Sequence, residues 1–218
     1  MAPTTGAPGA ARYVPDHADL DALRAAVDGC RGCTLYRDTT QGVGGAGPAD
    51  ATVVLVGEQP GDAEDRQGAP FVGPAGRVLR RAVDEAGLPA DRTYRTNAVK
   101  HFGHTLRGER RIHRTPTRTE VAACRPWLVA EFGRLRPTLV VALGATAGRA
   151  LFGPDFRVTR DRGTLLPWPR SAEHPADFPD TGARALATIH PSAVLRADDR
   201  ETAYAGLVAD LRTAAAAL

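Results

Sequence analysis

The stretch ATVVLVGEQPG, residues 51–61, decides how the rest of the chain is read. Thr52–Val56 is an unbroken, mostly β-branched apolar run, as expected of a strand covered on both faces. It ends in Gly57-Glu58-Gln59-Pro60-Gly61, where the backbone must turn. Three further segments read as strands of the same kind: Thr93–Lys100, Leu139–Leu143 and Arg184–Ile189. Helical spacing appears between them. Asp19–Val27 reads as a short helix ending at Gly29 and Pro74 opens a helix to Gly87. Thr117 and Glu120 make a capping-box pattern for a helix towards Leu135, kinked or broken near Pro126. Helices are also expected from about Ala145 to Leu151 and over roughly Asp199–Ala217. Strands alternating with helices predict an α/β fold, a three-layer αβα domain with a central, mainly parallel four-stranded sheet. Residues 1–18, rich in Ala, Pro, Gly and Thr, are expected to be a disordered tail ahead of a single domain over 19–218.

The 218 residues, 43% hydrophobic and 24% charged, suffice for one domain with a real core. No apolar run approaches the roughly 18 residues of a membrane span, and the first twenty residues have neither the basic start nor the apolar core of a secretory signal. Three cysteines cannot build a disulfide framework, which points to a reducing, cytoplasmic setting. The net charge is only +3, but 27 of the 28 cations are Arg and Lys100 is the sole lysine. An Arg-rich coding bias would produce this, and so would phosphate recognition, since guanidinium forks match phosphate oxygens. Arg107, Arg110, Arg111, Arg114 and Arg118 crowd one segment whose only acid is Glu109, a pattern that fits a polyanion. The Gly-rich stretch 42–48 precedes the first strand, whereas a nucleotide-binding loop should follow one.

In parallel sheets, ligands sit beyond the carboxyl ends of the strands. Glu58, Asn97 and His190 all fall at such ends. Each has an ordinary structural use there, as a cap or turn residue. Each also has a chemical one: glycines beside Glu58 let a substrate approach the backbone, and the Asn97 carboxamide offers a donor and an acceptor side by side. Phe71, in PFVGPAG (70–76), is either core or a ring on which a base stacks.

Together, GEQPG (57–61), PFVGPAG (70–76), TNAVK (96–100), ACRPWL (123–128) and HPSAVLR (190–196) resemble the uracil-DNA glycosylase superfamily, specifically its iron–sulfur, family-4-like branch. The Gln of GEQPG, the string NAVKHF and the loop RRIH (110–113) are similar to the UdgX subgroup, whose members attach covalently to DNA where uracil was removed. The resemblance implies uracil-containing DNA as partner, single strands accepted, and a monomer. Phe71 would stack on a flipped uracil, Asn97 would bond its N3–H and O4, and Gly57 and Gln59 would complete the pocket. His190 would donate to O2 and Glu58 would stabilise the sugar cation or orient the nucleophile, with Asp62 as helper in the same loop. Ser192 and Arg196, with Arg110 and Arg111, would hold the DNA backbone. His113 would be the nucleophile at C1′, although, taken alone, the segment reads better as a solvated basic loop touching phosphates. Cys30, Cys33 and Cys124 match three cluster ligands, and His101 stands where relatives place the fourth, implying a 4Fe-4S cluster. By spacing alone the same residues read equally as a zinc site. Three functions therefore remain open: a self-trapping glycosylase, a turnover glycosylase using water activated by Glu58, and a non-catalytic binder of uracil or abasic DNA.

Overall fold

The computed structural model describes residues 9–168 and 178–218. In chain order the elements begin with α1 (Leu20–Val27), β1 (Val53–Gly57), α2 (Asp62–Gln67), α3 (Pro74–Ala86) and β2 (Thr93–Asn97). A hairpin follows, β3 (His104–Arg107) and β4 (Arg110–His113), then α4 (Arg118–Arg134), β5 (Leu139–Leu143) and α5 (Ala145–Phe152). The chain closes with α6 (Val158–Asp161), β6 (Leu166–Pro167), β7 (Arg184–Thr188), α7 (Pro191–Arg196) and α8 (Arg200–Ala215).

The main sheet runs β2-β1-β5-β7-β6. Its first four strands are parallel, as expected; the two-residue β6 adds an antiparallel edge against β7. Alternate residues of the buried strands feed two cores. Val54, Val56, Val140 and Ala142 face α1, α4 and α5 through Leu23, Trp127, Phe132 and Leu151. Val53, Leu55, Val141 and Leu186 face α3 and α8 through Leu79, Val83, Leu207 and Leu211. Each fully buried Leu or Val contributes about 1.5–3 kcal/mol, so the sheet is a stiff platform for its loops. Register aligns the carboxyl ends: Gly57 pairs with Asn97, and Leu143 with Thr188.

Local signals account for most boundaries. Asp19 caps α1 by accepting from the Ala22 N–H at 2.8 Å, Pro74 opens α3 and Gly87 closes it at φ +76°, and the Thr117–Glu120 capping box starts α4. Three expectations need correction. The helix α4 passes through Pro126 without a break. The segment read as a basic loop is the hairpin β3–β4. Residues 9–18, expected to be disordered, are held: Ala10 is buried and its N–H donates to Ala123 O at 2.8 Å; residues 1–8 lie outside the described residues. Among the described residues no helix is long and apolar enough to cross a membrane.

Candidate active site

A cavity of about 430 Å³ opens at the carboxyl edge of the sheet, lined by Phe71, Asn97, His113, His190, Ser192 and Arg196 among others. Gly57 makes its floor possible, since a Cβ there would collide with Asn97 Oδ1 and the Phe71 ring. Phe71 sits in the left-handed region at φ +58°, with its carbonyl pressed against Gly76 so closely that no side chain fits at 76. Strained non-glycine backbone of this kind persists where the surroundings over-determine it. Here Glu64 supplies the determination, accepting the N–H of Gly61 and of Gly73 and so clamping two loops together. Asn97 is buried with its Oδ1 unpartnered, an acceptor left for a ligand.

His190 caps α7, and its tautomer follows from its partners. Arg196 Nη1 donates to Ser192 Oγ at 3.1 Å, while the Ser192 N–H and Oγ lie 3.2 and 2.8 Å from His190 Nδ1. An amide N–H only donates, so Nδ1 accepts and the proton sits on Nε2. Burial, helped by His113 and Arg196, pushes the His190 pKa down to about 4, so the ring is neutral at pH 7. Ser192 and Arg196, expected to hold phosphates, thus first orient His190.

Glu58 lies between two partners. Thr146, at the start of α5, donates its hydroxyl to Oε2, and His113 Nε2 lies 3.3 Å from Oε1. Burial lowers the His113 pKa; Glu58 opposes this, Arg196 and Arg114 reinforce it, and the residue's own carbonyl opposes it weakly. The net effect is a neutral ring at pH 7. Thr146 was missed by sequence reasoning, although Gly144-Ala145-Thr146 follows a buried strand just as Glu58 does.

Three expected site residues are engaged within the protein. The Gln59 side chain donates to the carbonyls of Gly103 and Arg114 and accepts from the Gly103 N–H, so it staples the hairpin base. Asp62 bonds Arg66 and, with the fully buried Asp65, grips Arg111 at 2.6 Å each. Arg111 is 14% exposed and held by two carboxylates, so its guanidinium is engaged within the protein; Asp62 is one of its anchors and also lines the cavity. Arg110 points from the exposed side of the hairpin and has no partner among the described residues.

Cys30, Cys33 and Cys124 are free, buried thiols that share one core region. Amide N–H groups of Gly32 and Lys100 reach the sulfurs of Cys30 and Cys124, and burial pushes the Cys124 thiol up to about 12 and the Cys33 thiol up as well. His101 is buried, its pKa pushed down to about 4 by desolvation and by Arg31, so it is in its ligand form. Among the described residues no three His, Cys, Asp or Glu side chains are gathered as around a single metal ion. The donor chemistry, three soft thiols and a neutral imidazole, suits an iron–sulfur centre.

A doubly wound sheet with a cavity at its carboxyl edge, largely apolar but carrying the Asn97 carboxamide and two imidazoles, defines an α/β protein whose ligand site lies where such sheets place it. Residues 45–212 match the uracil DNA glycosylase superfamily, and the chain belongs to it. It is 34% identical over 178 residues to the Type-4 uracil-DNA glycosylase of Thermotoga maritima, covering 81% of this chain and 83% of that protein. The Type-4 uracil-DNA glycosylases of Pyrobaculum aerophilum and Archaeoglobus fulgidus are each 33% identical, the first over 178 residues (82% and 85%) and the second over 180 (81% and 83%).

Proposed function

We propose that the protein is a uracil-DNA glycosylase that, after expelling uracil, joins His113 to C1′ of the abasic sugar. The superfamily membership and the Type-4 relatives support the excision; the 3.3 Å approach of His113 Nε2 to Glu58 Oε1 carries the second step. Uracil stacks on Phe71 and gives its N3–H to Asn97 Oδ1. As the C1′–N1 bond breaks, its electron pair leaves with the base, and His190 Nε2–H bonds O2 as negative charge collects there. Glu58 offsets the cationic charge left on the sugar. His113 Nε2 faces the Glu58 carboxylate, which only accepts, so the neutral ring carries its proton there; handing that proton to Glu58 Oε1 frees the Nε2 lone pair, and attack at C1′ forms the C–N bond and leaves the imidazole neutral. A nucleophile held in place beats diffusing water by effective concentration.

The RRIH resemblance to the UdgX subgroup supports this reading, and Glu109 lies at the hairpin tip, at the opposite end of the strand pairing from His113. Cys30, Cys33, Cys124 and His101 would hold a 4Fe-4S cluster whose contribution is to fasten the N-terminal segment to α4 and the turn after β2.

The test uses a single-stranded oligonucleotide carrying one deoxyuridine. Wild type should give a protein–DNA band that survives denaturant, at one turnover per molecule. His113→Ser should lose that band yet release uracil repeatedly, with water in the vacated space. Many uracils per wild-type molecule and no surviving band would assign the reaction to Glu58 and water; no uracil from any variant would leave only binding.

A further inference from the structure

We infer that a second cavity, between α4 and α5, receives the nucleotide adjoining the uridine on the same DNA strand. The inference rests on the uracil-excision reading. This cavity, about 250 Å³, has an apolar floor that includes Val121 and Leu128, and Ala98 and Thr146 form the side nearest the active site. It lies at the same carboxyl edge as the uracil cavity but on the opposite face of the sheet, because α4 and α5 pack on one face and α3 and α7 on the other. The wall between the two is thin. Ala98 follows Asn97 directly, and the Thr146 hydroxyl that borders the second cavity bonds Glu58, which touches His113. A strand whose uridine is turned into the first cavity has its sugar at that dividing wall, so its neighbour arrives on the far side.

The lining chemistry selects such an occupant. Arg118 and Arg149 stand exposed at the rim with no partner among the described residues. Arg125, held by the Ala150 carbonyl at 2.8 Å and stacked 4.5 Å from the Phe178 ring, shapes the wall. Among the described residues no Asp or Glu lines the cavity. An apolar slot beneath two free guanidinium groups fits a flat base joined to a phosphate. A base paired in a duplex cannot enter, so the cavity favours unpaired DNA.

The experiment measures single-turnover uracil release against protein concentration, giving a half-saturation point and a maximal rate. Three single-stranded oligonucleotides are compared: one intact, and two in which the 5′ or the 3′ neighbour of the deoxyuridine is a tetrahydrofuran without a base. Removing one of the two neighbours should raise the half-saturation point about tenfold at unchanged maximal rate, as expected when a single base no longer stacks. Ala122→Trp, at an exposed lining position of α4, should raise it similarly on intact DNA and erase the difference between substrates. Arg118→Ala with Arg149→Ala should weaken binding and make its salt dependence shallower, by about 0.7 in slope for each phosphate that is no longer neutralised. Equal saturation of all three oligonucleotides by wild type, or an Ala122→Trp defect of the same size on all three, would overturn the inference while leaving excision standing. No uracil from the intact oligonucleotide would overturn both.

Discussion

Asn97 shows how little freedom a site residue has here: the backbone of Gly57 is packed against its carboxamide, and nothing but a ligand is left for its Oδ1. Asn97→Asp replaces a carboxamide donor with an acceptor, so uracil loses a bond at O4, while the new carboxyl group, when protonated, serves cytosine. The expected result is slower uracil release and measurable cytosine release, checked on matched oligonucleotides. Phe71→Ala should cost about 1–3 kcal/mol of base binding. The two histidines should separate in pH. His190 stays neutral down to about pH 4, whereas His113 is a nucleophile only when unprotonated, and its pKa lies below the ordinary 6.5. Acidification through the His113 pKa protonates that ring and removes the nucleophile. Adduct should therefore fall while uracil release continues, reported by the ratio of shifted band to free uracil between about pH 7 and about pH 4.5, a window set by the ordinary imidazole range. An unchanged ratio would mean that His113 does not attack C1′.

The hairpin β3–β4 carries His113, the proposed nucleophile, and its wiring was illegible in the sequence. Charges at 107, 109, 110, 111 and 114 mask a period of two, and the turn signal is only Gly108, at φ +61°. Once the register is known, the alternation matters. Arg111 and His113 lie on one face of β4, and Arg110 and Ile112 on the other. Anchoring Arg111 between Asp62 and Asp65 therefore aims His113 at Glu58, while the exposed Arg110 has no side-chain partner among the described residues. The same five-arginine cluster thus divides by partner, Arg114 being paired with Glu120, and composition cannot show that division. Arg111→Ala strands the fully buried Asp65 without its cation. That should cost on the order of 3 kcal/mol, a melting shift of roughly 6–12 °C for a chain of this size, with adduct lost more than uracil release. Arg110→Ala should leave melting alone and reduce the salt slope of DNA binding by about 0.7. The reverse pattern would exchange the two roles.

At the scale of the whole molecule the sheet and its carboxyl edge were legible, because strand-length segments ending in Gly-Glu, Thr-Asn and Ile-His alternate with helical spacing. What ties the edge strand β2 to α4 was not. Lys100 is fully buried, with Nζ bonding Glu131 at 2.8 Å, Thr96 at 2.6 Å and the Asn97 carbonyl at 3.0 Å, and Glu131 reaches on to the Gly45 N–H. A single Lys among 27 Arg signals itself only by rarity; that it ties β2 to α4 depends on a partner 31 residues away. The Lys100 N–H in turn meets Cys124 Sγ, and His101 follows in the chain. Cys124 belongs to α4, whose neighbouring Ala123 holds Ala10, so the thiols lie where the N-terminal segment, α4 and the turn carrying Asn97 meet. A cluster at that junction would couple metal to folding. The purified protein is then expected to be brown, with visible absorbance accompanied by iron and sulfide. Cys124→Ser should bleach it and open the N-terminal segment to protease before the sheet melts. His101→Cys, which replaces the imidazole with a fourth thiol, should keep the colour and change the cluster's electron paramagnetic resonance signal in the reduced state. A colourless protein carrying one zinc per chain would remove the cluster and leave the glycosylase site untouched, since Glu58, Asn97 and His190 are placed by the strand ends and not by the thiols.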